Sequence, residues 1–475
     1  MFFYLVVFPL LIFASLHASV VAVRLSNAPE LAGGVFAPLF LFAGILIVTY
    51  GVLKVLRFKG SLPLLSSALA ICGIGIIVQY RIGPLAQITM TTPSQAAFPL
   101  GVAAMLAVYW LWRGGRLVNL EALWPVFLGL SCLVILFVIT VGRVFRGAVF
   151  LPGNINPVEI IKPLLVLFAA GLLAGHRENL SKGFFGIPLP PINILVTIAL
   201  FWCVPMALLM VQGDMGMIAL MCFTLVAMFY AATRRSAYLF IGLAAFVASA
   251  AFFIPMSSRG RARLTAWLDP FSDVTDTGWQ PLQALVALYT GGAFGAGLGA
   301  GSPNVVPIVE SDFAYIIIGE ELGIVGCLCV GLLFIVMIMS AVRVAEKSDD
   351  DYSGTVAAGL AACLGFQTLL NIGGVVKAIP LTGITLPLIS HGGSSLFTTF
   401  LMLGILLAVS DEHAEEFVFA RAHASRRKID APPPQTEPPP PDPVRKPRKP
   451  RKPRDPSKPR APRKPRKPTQ TISKD

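Results

Sequence analysis

Charged side chains inside an otherwise apolar chain of 475 residues are the first place to look for chemistry. A charge at membrane depth costs ~2.5–3.5 kcal/mol and persists where it is paired or used. Asp312 stands in Glu310-Ser311-Asp312-Phe313, at the mouth of an apolar run, downstream of Arg259, Arg261 and Arg263. A carboxylate beside three arginines suits proton abstraction next to an anionic headgroup, and a helix cap is the structural alternative for the same residue. Glu320 and Glu321 follow in Gly319-Glu320-Glu321-Leu322-Gly323, about two helical turns further in at ~1.5 Å per residue. Glu159 and Lys162 stand three apart, on one helical face, where they pair or carry polar atoms into an apolar run. Asp214, between two runs in Gln212-Gly213-Asp214-Met215-Gly216, reads equally as a site acid and as a helix N-cap. Lys377 precedes Pro380, Pro387 and the turn Ser390-His391-Gly392-Gly393-Ser394-Ser395, in which His391 reads as a hydrogen-bonding residue before a catalyst.

Other chemistries lack their residues. No Gly-x-Ser-x-Gly elbow and no His-Glu-x-x-His occurs, which removes hydrolase and metalloprotease classes. The seven cysteines (Cys72, Cys132, Cys203, Cys222, Cys327, Cys329 and Cys363) all lie in apolar runs without ligand spacing, so neither disulfide framework nor zinc site is expected.

The scaffold that must position these residues is written in the composition. Hydrophobic residues make up 55% of the chain and charged ones 13%, about half the share of a soluble domain, which excludes an ordinary soluble enzyme. A helix needs ~20 apolar residues to cross the hydrocarbon. Twelve runs qualify: 2–23, 33–56, 62–80, 95–112, 120–141, 158–175, 190–211, 215–232, 236–255, 313–343, 353–376 and 392–410. They are continuously apolar, so an all-α polytopic transmembrane bundle is expected rather than a barrel. The first run is too long and too poor in basic residues for a cleaved signal peptide.

With the N-terminus in the cytoplasm, the inside loops hold Lys54, Arg57, Lys59, Arg113, Arg116, Arg177, Lys182, Arg234, Arg235, Arg343 and Lys347. The outside loops hold Arg24, Arg81, Arg143, Arg146 and Lys377, fewer, as the positive-inside bias requires. The segment 256–311 then faces outside and, with Arg259, Arg261 and Arg263, is the exception to that bias, which long external segments obey poorly. Its Trp267, Phe271, Trp279 and Phe294 suit the membrane interface, and its Gly291–Gly299 stretch lets backbone approach a ligand or a second helix.

The net charge of +13 is concentrated in a tail, 431–475, with 14 Lys/Arg against four acids and 16 of the 38 prolines. Arg-Lys-Pro repeats of this kind favour polyproline II without a core. A cytoplasmic tail of this charge is drawn to anionic lipid or to an acidic cytoplasmic partner, or acts as a solvated spacer; no nucleic-acid partner is expected.

These residues together resemble the SEDS family, that of FtsW, RodA and SpoVE, from about Gly142 to Ser410. Arg261-Ala262-Arg263-Leu264 through Leu268-Asp269-Pro270 is similar to the family's Arg-x-Arg…Leu-Asp-Pro run, continued by Gly278-Trp279-Gln280 and Gln283. Asp312-Phe313 with Gly319–Gly323 resembles its Asp-Phe…Glu-Glu-Leu-Gly. Asn371-Ile372-Gly373 and Pro380–Ser394 resemble its last external loop. Upstream, Asn156-Pro157-Val158-Glu159 to Lys162 and Gln212–Gly216 fit two further motifs. The chain departs from the pattern at Ile308 and Glu310, where an acid and a histidine are usual, at His391 for tyrosine, at Lys377 for a small residue, and in lacking a tryptophan near Arg146.

The resemblance implies a peptidoglycan glycosyltransferase polymerising lipid II at the outer face of the bacterial cytoplasmic membrane, inverting the anomeric carbon. It implies Asp312 as general base, Arg261 and Arg263 on the diphosphate, and Gln280, Glu159, Lys162, Lys377 and Ser394 as substrate contacts. Glu320, Glu321, Asp214 and Asp269 take structural or secondary roles. A divalent cation, Mg2+ or Mn2+, is possible, although no ligand cluster marks one, and the implied partner is a class B penicillin-binding protein transpeptidase. A lipid II flippase or a non-catalytic scaffold is the rival reading. The expected organisation is two extra N-terminal spans (1–61), a core (62–411) carrying the loop 256–311, a juxtamembrane segment (412–430) and the tail.

Overall fold

The computed structural model of the chain describes residues 1–27, 36–82, 97–113, 116–145, 148–151, 156–176, 192–348 and 350–430. Arg146, Arg177, Lys182 and the basic tail lie outside them. The chain divides into two compact units, Met1–Arg421 and Ala422–Asp475, and everything below concerns the first. Its helices are α1 (Phe8–Asn27), α2 (Ala37–Val55), α3 (Leu62–Ile82), α4 (Ala97–Trp112), α5 (Trp124–Val141), α6 (Ile161–Ala174), α7 (Ile192–Gln212), α8 (Met215–Thr233), α9 (Ala237–Phe253), α10 (Ser258–Leu268), α11 (Trp279–Gly291), α12 (Ala314–Glu346), α13 (Asp351–Val375) and α14 (Gly393–Asp430). Among the described residues nine helices are long and apolar enough to cross a membrane, and three shorter apolar ones, Ala97–Trp112, Val196–Gln212 and Ala237–Ala251, fall where the other three spans are expected. The protein is a multi-pass helical membrane protein. Two three-residue strands, β1 (Arg143–Phe145) and β2 (Ala148–Phe150), pair antiparallel between α5 and α6.

Lipid is as apolar as leucine, so helices in a membrane sort by how closely their backbones can approach. α3 is rich in small residues (Ser66, Ser67, Ala68, Ala70, Gly73, Gly75) and 89% of its apolar span is buried, against 17% for the leucine- and valine-rich stretch containing α5. α3, α6, α13 and the first part of α14 form the inside of the bundle together with the buried start of α12 (Ala314–Glu321), and α2, α5 and the rest of α12 its outside. Gly75 shows how tight the inside is. A Cβ there would stand 2.2 Å from the Leu388 carbonyl oxygen, so the loop 376–392 lies directly on α3.

The segment between α9 and α12 is mostly helical, α10 and α11 being joined by a turn and followed by the Gly-rich stretch. That stretch meets α12 where α12 is interrupted: Gly323 takes φ +67°, ψ −167°, and the helix restarts beyond it. An interruption frees two carbonyls and two N–H groups, which at membrane depth must find protein partners. They do. The amides of Ala296 and Gly297 donate to the Glu320 and Glu321 carbonyls (2.9 and 3.0 Å), and the amides of Ile324 and Val325 donate to the Gly292 and Ala293 carbonyls (3.0 and 3.1 Å). Side chains seal the joint. Glu321 accepts from Arg81 Nε (2.9 Å) and the Gly299 amide (2.9 Å), Glu320 accepts from the Ser302 amide (2.8 Å), and Arg81 Nη2 donates to the Gly299 and Gly301 carbonyls (2.9 and 2.8 Å).

Candidate active site

The helix-cap reading of Asp312 does not survive: the N-cap of α12 is Phe313, without a side-chain cap bond, and Asp312 precedes it. Its side chain lines a cleft of about 350 Å³ bounded by α10, the start of α11, the end of α13 and the loop after it. Arg263, Gln280 and Lys377 line the same cleft, so four of the residues picked from sequence converge there although they span more than a hundred positions. Arg261 does not join them. Residues two apart on a helix point roughly 200° apart, and with Arg263 turned inward Arg261 is left exposed, as is Arg259.

Arg263 is held from several sides. Its Nη1 donates to the Thr382 carbonyl at 2.9 Å, and Nη2 packs over Gly383. A Cβ on Gly383 would lie 3.1 Å from that nitrogen and 3.8 Å from Asp312 Oδ2, so the guanidinium and the carboxylate both border Gly383 and interact electrostatically. Burial lowers the Arg263 pKa, and the charges of Asp312 and Asp214 oppose that shift. Asp214 caps α8, its Oδ1 accepting from the Met217 amide at 2.9 Å. Burial raises its carboxyl pKa, the capping bond opposes it, and Glu159, Lys162 and Arg263 act on it at longer range.

Three buried carboxamides fasten this arrangement. Asn371 Nδ2 donates to the carbonyl of Asp312 (2.9 Å) and to that of Ile384 (2.7 Å). Gln79 Nε2 donates to the carbonyls of Glu310 and Ile389, both at 3.0 Å. Each therefore ties the strand leading into α12 to the loop 376–392. Gln367 donates to the Thr385 carbonyl (2.9 Å) and accepts from Lys162 Nζ (2.9 Å), and Lys162 also pairs with Glu159. The Glu159–Lys162 pair thus braces the same loop from within the bundle, outside the residues that line the cleft. Gln79 and Gln367 escaped notice in the sequence; a neutral amide in the middle of a span was the available sign.

The remaining residues serve the walls. Gln280 Nε2 donates to the Pro307 carbonyl at 2.7 Å, and Ser394 Oγ accepts from the Asn156 amide at 3.1 Å. Exposed Asp269 ends α10 and accepts from the Phe271 amide at 3.1 Å. Glu320 and Glu321 belong to the α12 joint. Two non-glycine residues of the cleft hold positive φ, Ile308 (+59°) and Lys377 (+62°), a conformation that costs about 1–2 kcal/mol and favours glycine. Backbone bonds pin Lys377: its carbonyl accepts from Trp267 Nε1 at 3.0 Å and its amide donates to the Gly374 carbonyl at 3.2 Å. His391 donates its amide to the Glu310 carbonyl at 2.7 Å; burial lowers its imidazole pKa and the Glu310 charge opposes that.

Of the described residues lining the cleft, one offers a divalent ion a carboxylate, Asp312. Among the described residues no three acidic, cysteine or histidine side chains gather, and the cleft's carboxylate already faces a guanidinium.

The FtsW/RodA/SpoVE family, whose description is cell cycle protein, matches residues 61–415. The chain belongs to that family. It is 36% identical over 264 residues to the peptidoglycan glycosyltransferase RodA of Mycobacterium bovis, a match covering 55% of this chain and 56% of the relative, so the chain spans about half the length of that curated relative. It is 33% identical over 323 residues to the probable peptidoglycan glycosyltransferase FtsW of Geobacter metallireducens, covering 66% and 82%. Among solved structures it is similar in fold to a chain of a peptidoglycan synthase complex (TM-score 0.61, 24% identity, 75% of this chain and 98% of that one). The rod shape determining protein RodA of Thermus thermophilus gives a TM-score of 0.52 at 23% identity, covering 75% of this chain and 98% of that one.

Proposed function

We propose that this SEDS chain is a peptidoglycan glycosyltransferase that polymerises lipid II, with the Asp312 cleft at the outer face of the cytoplasmic membrane and both termini inside. The observation that carries the reading is a carboxylate lodged in a cationic cleft at one end of a transmembrane bundle, in a family whose relatives bear that activity in their names. Asp312 takes the proton from the 4-hydroxyl of one lipid-linked sugar as that oxygen bonds to the anomeric carbon of the other. The bond from that carbon to the diphosphate breaks, and undecaprenyl diphosphate leaves with the electron pair. Attack opposite the leaving group turns an α-linked donor into a β-linked glycan. A positioned general base is worth ~10²–10⁴ in rate, and cationic side chains near the leaving diphosphate stabilise its developing charge.

The transport reading loses its support at the residues that suggested it. A transporter needs titratable groups that are available near the midplane. Glu159 is paired with Lys162, and Glu320 and Glu321 accept backbone amides at the α12 joint. The proposed partner is a class B penicillin-binding protein transpeptidase, and the proposed role of the 431–475 tail is to meet anionic lipid or an acidic cytoplasmic protein.

The test is glycan-strand formation from lipid II by the purified full chain with its transpeptidase. Asp312→Asn abolishes polymerisation while the melting temperature stays that of the parent. Undiminished strand formation by the variant would sink the assignment.

A further inference from the structure

We propose that the ammonium of Lys377, rather than the guanidinium of Arg263, is the group that binds the anion in this cleft, and that the anion is the diphosphate of the lipid-linked substrate. The inference rests on the glycosyltransferase reading for the identity of its ligand, but its evidence is the distribution of charge among the cleft residues.

Two cationic residues line the cleft, and of the two only Arg263 makes a side-chain hydrogen bond among the described residues. Arg263 gives one nitrogen to the Thr382 carbonyl, packs another over Gly383 beside Asp312 Oδ2, and carries the electrostatic load of both Asp312 and Asp214. Moving it onto a substrate phosphate would draw it away from the Thr382 carbonyl and from Asp312. Lys377 answers no carboxylate: among the described residues its ammonium has no hydrogen bond and no ion pair. Among the described residues that line the cleft, Arg263 and Lys377 stand against the single carboxylate of Asp312, so one positive charge is left over. Without Lys377 the single positive charge of Arg263 would be matched by Asp312, and an incoming diphosphate would meet no surplus positive charge among the lining residues. Arg259 and Arg261 do not replace it, because both are exposed on α10 away from the cleft.

The backbone points the same way. Lys377 sits at φ +62°, where glycine is the relaxed choice, and is held there by the Trp267 indole on its carbonyl and by its own amide on Gly374. A lysine kept in a glycine conformation, with a pinned backbone and an uncommitted side chain, fits a residue retained for what its head group touches. Its four-carbon stem lets the ammonium follow a diphosphate that departs as the glycosidic bond forms, which the clamped Arg263 cannot do.

Lys377→Gly removes the ammonium and suits the backbone, so it melts at or above the parent temperature. Lys377→Arg keeps the charge. Inorganic pyrophosphate, added to the purified full chain in detergent, is read as a thermal shift that needs no catalysis. It binds the parent and binds Lys377→Gly roughly ten- to a hundredfold more weakly, the size of one lost charge-assisted hydrogen bond. It binds Lys377→Arg within about fivefold of the parent. In the polymerisation assay Lys377→Gly lowers kcat/KM for lipid II by a similar factor or more. Equal pyrophosphate affinity in parent and Lys377→Gly overturns the proposal even when Asp312→Asn is inactive. Loss of pyrophosphate binding with an unchanged kcat/KM overturns it too, since the site would then take free pyrophosphate and not the lipid-linked substrate. An active Asp312→Asn strikes the glycosyltransferase reading and leaves the Lys377 anion site standing on the thermal shift.

Discussion

Two acid–arginine constellations lie near the same end of this bundle, and they differ in what remains unspent. At the α12 joint, Glu321 takes the Arg81 guanidinium and the Gly299 amide, and Arg81 spends another nitrogen on two carbonyls of the Gly-rich stretch. That capacity goes into the pair itself and into backbone of the Gly-rich stretch that closes the interruption at Gly323. In the cleft, Arg263 and Asp312 both border Gly383, yet the cleft also keeps about 350 Å³ of space and a lysine whose ammonium has no partner among the described residues. A buried pair that saturates itself is structure. A pair that leaves a cavity and a surplus charge is equipped to receive a substrate.

The largest effects that would break this contrast are the most direct. Asp312→Asn should remove polymerisation by ~10²–10⁴ in rate without moving the melting temperature, whereas Glu321→Gln should lower stability by about 3–5 kcal/mol, because it leaves Arg81 half-buried without its counter-charge. Thermal melting in detergent beside the strand-formation assay separates them. A Glu321→Gln protein that melts like the parent but cannot polymerise would move Glu321 from the joint into the chemistry. Gly323→Ala comes next: its Cβ would stand 2.4 Å from the Gly295 nitrogen at φ +67°, so at least ~1–3 kcal/mol is lost, read as a lower melting point.

The smallest effect concerns pH. Burial holds the His391 pKa below that of a free imidazole, so the unfolded chain binds the proton first. Stability from the neutral ring is fully present above the unfolded value of ~6.5 and is lost as pH falls from there through the folded value. His391→Gln cannot take that proton. Its melting temperature should fall less steeply than the parent's below about pH 6.5 and run parallel above it. Parallel curves throughout would mean that the Glu310 charge cancels the cost of burial.

Much of this contrast is legible along the chain, and particular residues show where legibility stops. Asp312, Arg263, Gln280 and Lys377 are visible because charged or amide groups outside long apolar runs are few. Arg261 looked equivalent to Arg263 because a motif lists both, while helical geometry turns only one of them inward. Glu320 and Glu321 looked like acids two turns down a continuous helix. The glycine two residues later ends that helix, and its role appears only when Gly295 arrives beside it from a segment remote in sequence. Gln79 and Gln367 were hidden because neutral amides barely disturb an apolar run, although three buried amides hold the Asp312 segment and its loop together.

The amino-acid sequence by itself determined that the chain crosses a membrane many times, where its helices lie and which acid stands at a helix mouth, since hydrocarbon thickness and the cost of buried charge act on each segment separately. Only the tertiary structure decided which charges are spent and which is left over. Pairing is a property of neighbours, and the partners of Arg263, Glu321 and Lys162 come from segments that no local pattern connects.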